Sequence, residues 1–408
     1  MSKSLGLLAR SAALIFVCQS VLAGQPPSSW VPAWYASPAP SPNANATLNN
    51  QTVRQVVHVV AGGTQVRLRL SNAYGTSPVH FDSVSIARRA AGSTAQADSV
   101  RRIAFSGHAD VTVAAGTFAL SDALDFDVPA DSDLMVSVYV SNRTVISTAH
   151  MTQRSALYFS NGDTTAEATI DPTYPDTGTW NSWLWLSEVE VSGSSATGAV
   201  IAFGDSITDG LGLNGDSHAD WPNLLADRLR AVKARVSVVN AGITGNRLLH
   251  NGQWGPFGIT GLARFDSDVL AQPNAQAVIL FLGINDIGQG IPGASDAVSA
   301  ADIENGLSQL AERGHERGIK VYAATLAPFR NAKAEHYYSV DKDLRRQAVN
   351  AWIRGSPLFD GVLDADKALD DPHDRGQMLP DYDSGDHLHP NAAGAAAIAR
   401  AVPLEWFR

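Results

Sequence analysis

Hydrophobic and polar positions follow two different rhythms along this chain. Between Trp30 and about Ser192, apolar and polar residues alternate in short runs. Examples are Val53-Arg54-Gln55-Val56-Val57-His58-Val59, Gln65-Val66-Arg67-Leu68-Arg69-Leu70 and Leu134-Met135-Val136-Ser137-Val138-Tyr139-Val140. A period of two sorts side chains onto the two faces of a strand. Turn residues separate the runs: Gly62-Gly63, Asn72-Ala73-Tyr74-Gly75 and Pro129-Ala130-Asp131. Short alternating strands between turn signals predict an all-β sandwich or jelly-roll-like domain. Trp30, Trp34, Trp180, Trp183 and Trp185 are read as its core or its joint to the rest of the chain, with a sugar-binding platform as the alternative. The alternation places Trp183 and Trp185 on one strand face.

From Val200 onward the rhythm changes. Apolar runs at Ala199–Phe203, Val236–Asn240, Ala277–Leu282, Lys320–Leu326 and Gly361–Asp364 are separated by stretches with helical spacing. Trp221, Leu224, Leu225, Leu229 and Val232 share one helix face, with Asp220 placed to cap it and Pro222 tolerated in its first turn. Ile303, Leu307 and Leu310 repeat the spacing, and a further helix is expected from Asn391 to Ala401. Continuous apolar strands alternating with helices predict a parallel sheet covered on both faces, an α/β/α arrangement. Gly193 to Gly198 lies at the change of rhythm. The chain therefore divides into residues 24–193, β-rich, and 194–408, α/β. A length of 408 residues suits two domains.

The first 23 residues stand apart. Lys3 and Arg10 give a basic start, Ser11 to Val21 is mostly apolar, and Val21-Leu22-Ala23 has the small-residue pattern of a cleavage site. This reads as a secretory signal peptide, because the apolar run is too short to span a bilayer. Export to periplasm or medium follows as an expectation, without stable membrane insertion. The one cysteine, Cys18, falls inside this segment, so no thiol is expected in the mature chain for a disulfide, a nucleophile or a metal. A net charge of −10 argues against a nucleic-acid partner and against docking on anionic lipid.

On an open α/β sheet, ligands bind beyond the carboxyl ends of the strands. Four clusters fall there. They are Gly204-Asp205-Ser206 after the first strand, Asn240-Ala241-Gly242-Ile243-Thr244-Gly245-Asn246 after the second, Gly283-Ile284-Asn285-Asp286 after the third, and Asp386-His387-Leu388-His389 before the last helix. Each alone reads as ordinary turn chemistry. Together they supply a nucleophile, a base, an acid to orient it and donors for an oxyanion.

Gly204-Asp205-Ser206, Gly242, Gly283-Ile284-Asn285-Asp286 and Asp386-His387-Leu388-His389, in this order over about 190 residues, resemble the SGNH or GDSL hydrolase superfamily. The front region also resembles domains that precede this catalytic domain in some exported bacterial esterases. The likeness rests on Thr52-Val53-Arg54-Gln55-Val56-Val57-His58 and Arg67-Leu68-Arg69-Leu70-Ser71-Asn72. The resemblance implies Ser206 as nucleophile, His389 as general base and acid, and Asp386 as the residue that orients the imidazole. It implies an oxyanion hole made of the Ser206 and Gly242 N–H groups and the Asn285 amide. It implies no cofactor. The substrate would be a small-molecule or polysaccharide ester, with short acyl groups such as acetyl on carbohydrate preferred. The alternatives are a lipase, arylesterase or lysophospholipase, and a carbohydrate-binding or surface-interaction protein whose hydrolase domain is secondary. A wide apolar channel beside Ser206 would favour lipid or aryl esters, and a shallow polar cleft would favour sugar esters.

Three decoys are set aside. Ser217, in a second Gly-Asp-Ser, follows a loop and not a buried strand. His387 does not fit the D-x-x-H spacing that selects His389. The acidic stretch Asp370, Asp371, His373, Asp374, Asp381, Asp383, Asp386 matches no ligand template, so no metal is expected.

Overall fold

The computed structural model describes residues 30–151, 157–173, 182–213, 215, 217–290, 294 and 296–407. The expected signal peptide, Cys18 and Trp180 lie outside the described residues. No helix among the described residues is long and apolar enough to cross a membrane.

The front region is strand-rich. One antiparallel sheet joins Val31–Tyr35, Leu186–Ser192, Gly63–Ser71 and Phe118–Leu120, with Leu124–Val128 also on the third strand. A second joins Leu157–Asn161, Gln51–Val59, Ser132–Val140 and Ser83–Ala91. The alternation drives their packing. Val66, Leu68 and Leu70 of one sheet meet Val53, Val57, Leu134, Val136 and Val138 of the other in a single core. Trp34, Trp183 and Trp185 are buried in it, which fits the core or joint reading. The shared strand face does not hold. Trp185 sits at φ 57, between the strands Ser182–Leu184 and Leu186–Ser192, and this kink breaks the alternation.

The rear region is built on five parallel strands. Their spatial order is Val236–Gly242, Gly198–Gly204, Ala275–Phe281, Lys320–Ala324, Gly361–Leu363. Side chains sort to two cores. Ile201, Phe203, Val278 and Leu280 face the helices Ala300–Glu316 and Val340–Gly355, whereas Val200, Ala202, Ile279 and Phe281 face Trp221–Ala231 and Ala392–Ala401. Local chemistry sets the helix starts. Asp220 accepts from the Asn223 N–H, Ser299 forms a capping box with Asp302, and Asn391 accepts from the N–H groups of Ala393 and Gly394. The fifth strand is one residue shorter than expected because Asp364 leaves it to cap a short helix.

The order of the strands decides where a site can form. The first strand lies between the second and the third, so the chain leaves it in one direction and returns on the other side. That reversal opens a crevice at the carboxyl ends of the first and third strands. The segments that follow those two strands carry Ser206 and Asn285.

The two regions meet closely. Tyr35 buries its ring in the rear core and donates its hydroxyl to Asp268 at 2.9 Å. Ser237 donates to the Pro32 carbonyl at 2.6 Å.

Candidate active site

The first strand ends at Gly204, and the chain turns at once into a short helix, Ser206–Asp209. Asp205 caps it by accepting from the Ile207 N–H at 3.0 Å. This presents Ser206 at the first helical position, where its own N–H has no acceptor within the helix. An added Cβ at Gly204 would lie 2.1 Å from the Thr208 hydroxyl, so the tight turn requires glycine there.

Ser206, His389 and Asp386 form a continuous hydrogen-bonded chain. The Ser206 hydroxyl is 2.9 Å from His389 Nε2, and His389 Nδ1 is 2.6 Å from Asp386 Oδ2. Asp386 also accepts from the N–H groups of Leu388 and His389, at 2.9 and 2.8 Å. Partial burial pushes its carboxyl up, but hydrogen bonds from His389 outweigh burial and hold it well below the usual carboxylate range. A carboxylate that stays ionised takes the Nδ1–H and leaves Nε2 as the acceptor for the serine proton. The decoys separate cleanly. His387 pairs with Asp383 at 2.5 Å, and Ser217 is exposed in its loop.

Asn285 stands in the helix that follows the third strand, and its orientation is fixed. Its Oδ1 accepts from the Tyr337 hydroxyl at 2.8 Å and from Gln289 Nε2 at 3.0 Å. Its Nδ2 donates to the Asn246 carbonyl at 3.0 Å, which leaves a second N–H on the cleft side.

Gly242 does not take the position expected for it. Its N–H donates to Asn240 Oδ1 at 2.9 Å. An added Cβ there would lie 2.3 Å from the Asp209 nitrogen, so this glycine lets the second strand touch the serine helix. The cleft wall is formed two and three residues later, by Thr244 and Gly245. Gly245 turns at φ 75, and its N–H has no acceptor among the described residues. The sequence carried the signal, a second glycine in the same strand-end block.

Two supports were not apparent in the sequence. Arg264 is buried and donates to the carbonyls of Gly204 and Ala241, at 2.7 and 2.8 Å, and to Asn246 Oδ1 at 2.9 Å. It ties both strand ends to the Gly245 loop. Asp209 accepts from the N–H and hydroxyl of Thr244, at 3.1 and 2.6 Å, and from His150 of the front region at 3.2 Å.

The cleft has a volume of about 810 Å³. Ser206, Asn285 and His389 open into it, and Leu211, Phe257, Tyr337, Tyr338 and Leu388 give it mainly apolar walls. Asp370 pairs with Arg375, Asp374 with Arg330 and Asp383 with His387, so members of the acidic stretch serve structural contacts.

A serine at the end of a parallel strand, bonded through histidine to aspartate, is the arrangement of a serine-type hydrolase. Residues 202–397 match the GDSL-like Lipase/Acylhydrolase family, and this segment is a domain of that family of ester hydrolases. Among solved structures, the chain is similar to an acetyl xylan esterase at 21% identity. That match covers 50% of this chain and 96% of the other, with a TM-score of 0.38. A GDSL-like lipase from Bacteroides thetaiotaomicron is 19% identical over 50% of this chain and 84% of its own, with a TM-score of 0.37. An alpha/beta hydrolase enzyme from the metagenome of Lake Arreo, Spain, is 23% identical over 50% and 93%, with a TM-score of 0.38. No curated protein matches the chain.

Proposed function

We propose that the protein is a carboxylic ester hydrolase that works through an acyl-Ser206 intermediate. The observation that carries this reading is the Ser206–His389–Asp386 chain, with links of 2.9 and 2.6 Å. Ser206 Oγ attacks the ester carbonyl carbon while His389 Nε2 takes its proton, and Asp386 stabilises the imidazolium that results. The carbonyl oxygen becomes an oxyanion, facing the Ser206 N–H, the Gly245 N–H and the Asn285 amide. Collapse expels the alcohol, which receives the proton from His389. Water then repeats the sequence on the acyl-enzyme and releases the acid.

The mainly apolar walls of the cleft support esters with an aryl group or a longer acyl chain, the alternative to acetylated carbohydrate. At about 810 Å³ it falls in the size range of sites for drug-sized ligands. The boundaries 24–193 and 194–408, the α/β/α layering of the second unit, and export directed by residues 1–23 belong to the same proposal. The test is a panel of p-nitrophenyl esters from acetyl to octanoyl beside acetylated xylan, with wild type and Ser206→Ala. Hydrolysis of the panel that vanishes in Ser206→Ala supports the reading. A variant that keeps its turnover overturns it. A rate that rises with chain length favours lipid or aryl esters, and one confined to acetyl returns the choice to acetylated carbohydrate.

A further inference from the structure

Between the two regions, far apart in sequence, three metal-capable side chains converge. His58 and Asp133 lie directly opposite each other on neighbouring strands of the front region. His218 reaches them from the loop that follows the serine helix. Asp133 Oδ1 is 2.9 Å from His58 Nδ1 and 3.2 Å from His218 Nε2, and the three ligand atoms lie within 4.8 Å of one another. Ligands on a tetrahedral zinc ion stand roughly 3.3 Å apart, given bonds near 2.0–2.1 Å. The separations from Asp133 are close to that spacing before any ion enters.

The surroundings complete the pattern. The other nitrogen of His58, Nε2, is 3.2 Å from Asp131 Oδ1, and Arg89 donates to Asp133 Oδ2 at 3.0 Å. A histidine that binds a metal through one nitrogen and a carboxylate through the other is the usual outer-shell arrangement. With no ion, both nitrogens of His58 face carboxylates, while the ring stacks on His218 with centroids 3.8 Å apart. A metal at Nδ1 would leave the Nε2 contact with Asp131 in place. A void of about 40 Å³ adjoins the two rings, with room for an ion's water.

We propose that His58, Asp133 and His218 bind a divalent transition-metal ion of the zinc type, which clips the loop after Ser206 to the front region. Two imidazoles and a carboxylate suit zinc and its neighbours better than magnesium or calcium. The rings are 16° from parallel, so one ion cannot lie in both planes as they stand. His218 turns to meet it, because it is on a loop whereas His58 is fixed in the sheet. The ion lies outside the ester-cleaving cleft and takes no part in acyl transfer.

The test is titration of EDTA-treated full-length protein with ZnCl2 by calorimetry, with thermal unfolding in parallel. One ion should bind per chain and raise Tm. Binding should weaken on acidification, because an imidazole binds a metal only through an unprotonated nitrogen. His218→Ala and His58→Gln should each abolish the site, and Asp131→Asn should weaken it by about 10–100-fold. His387→Ala and Ser206→Ala should leave it intact. The loop position of His218 makes its variant decisive if His58→Gln fails to fold. The absence of saturable uptake, or uptake that survives His218→Ala, would leave a stacked histidine pair only and overturn the proposal.

Discussion

Replacing Asn285 tests the oxyanion hole and its support together. Asn285→Ala removes the one side-chain donor assigned to the hole. Such a donor contributes about 2.7–4 kcal/mol to the transition state, so kcat should fall by about 10²–10³. KM should hardly change, since the donor meets full negative charge only after attack. Tyr337→Phe is the subtler arm. It deletes one buried hydrogen bond to Oδ1 and leaves Gln289 in place. Burial pushes the Tyr337 phenol well above its ordinary value, so it acts as a neutral donor and its loss removes no charge. A neutral hydrogen bond is worth about 0.5–1.5 kcal/mol net, which sets the expected fall in kcat at about 2- to 12-fold. Steady-state kinetics on a p-nitrophenyl ester, with burst amplitude to count active sites, reads both arms. An Asn285→Ala variant that changes KM with kcat intact would place the amide in ground-state binding. A Tyr337→Phe loss as large as that of Asn285→Ala would mean that the phenol itself meets the substrate.

Four further outcomes are expected. Ser206→Ala should lose nearly all turnover while Ser217→Ala keeps it, and the reverse ranking would move the nucleophile to the loop. The Asp205 carboxyl is pushed up to about 7, first by burial, so the folded state holds that proton more tightly than the unfolded chain. Stability from this group is full near pH 4 and declines as pH rises to about 7; Asp205→Asn, which keeps the cap acceptor, should flatten that decline and raise Tm at pH 8, and an unchanged pH profile would contradict it. His150→Ala breaks a buried hydrogen bond with Asp209 and should cost about 1–3 kcal/mol in urea denaturation; it should also lower kcat through the Thr244–Gly245 loop, as should a chain truncated to begin at Gly198, and full activity in either would separate the front region from the site. Gly245→Ala meets the Phe257 ring at 2.4 Å and leaves a backbone at φ 75, so kcat and Tm should both fall, whereas a silent variant would free Gly245 from the hole.

The sequence by itself determined a good deal. The shift from a period of two to alternating apolar strands and helical spacing told the strand-rich front from the α/β rear, because burial on a sheet face or a helix stripe imposes those periods on the residues themselves. The strand-end rule led to the clusters that hold Ser206, Asn285, Asp386 and His389, and the family resemblance implied the role of each. Only the tertiary structure decided what depends on which groups meet. Gly242 and Gly245 look alike in sequence, but Asn240 takes the N–H of the first and leaves that of the second. Trp185 follows the strand alternation in sequence, yet the chain kinks at it. Arg264 and Tyr337 orient the site from elements that carry no motif. His58 and Asp133 meet across paired strands of the front region, and His218, scores of residues further on, joins them only because the two regions dock. Periodicity and motif are properties of neighbours along the chain, whereas hydrogen-bond satisfaction and ligand clusters are properties of neighbours in space.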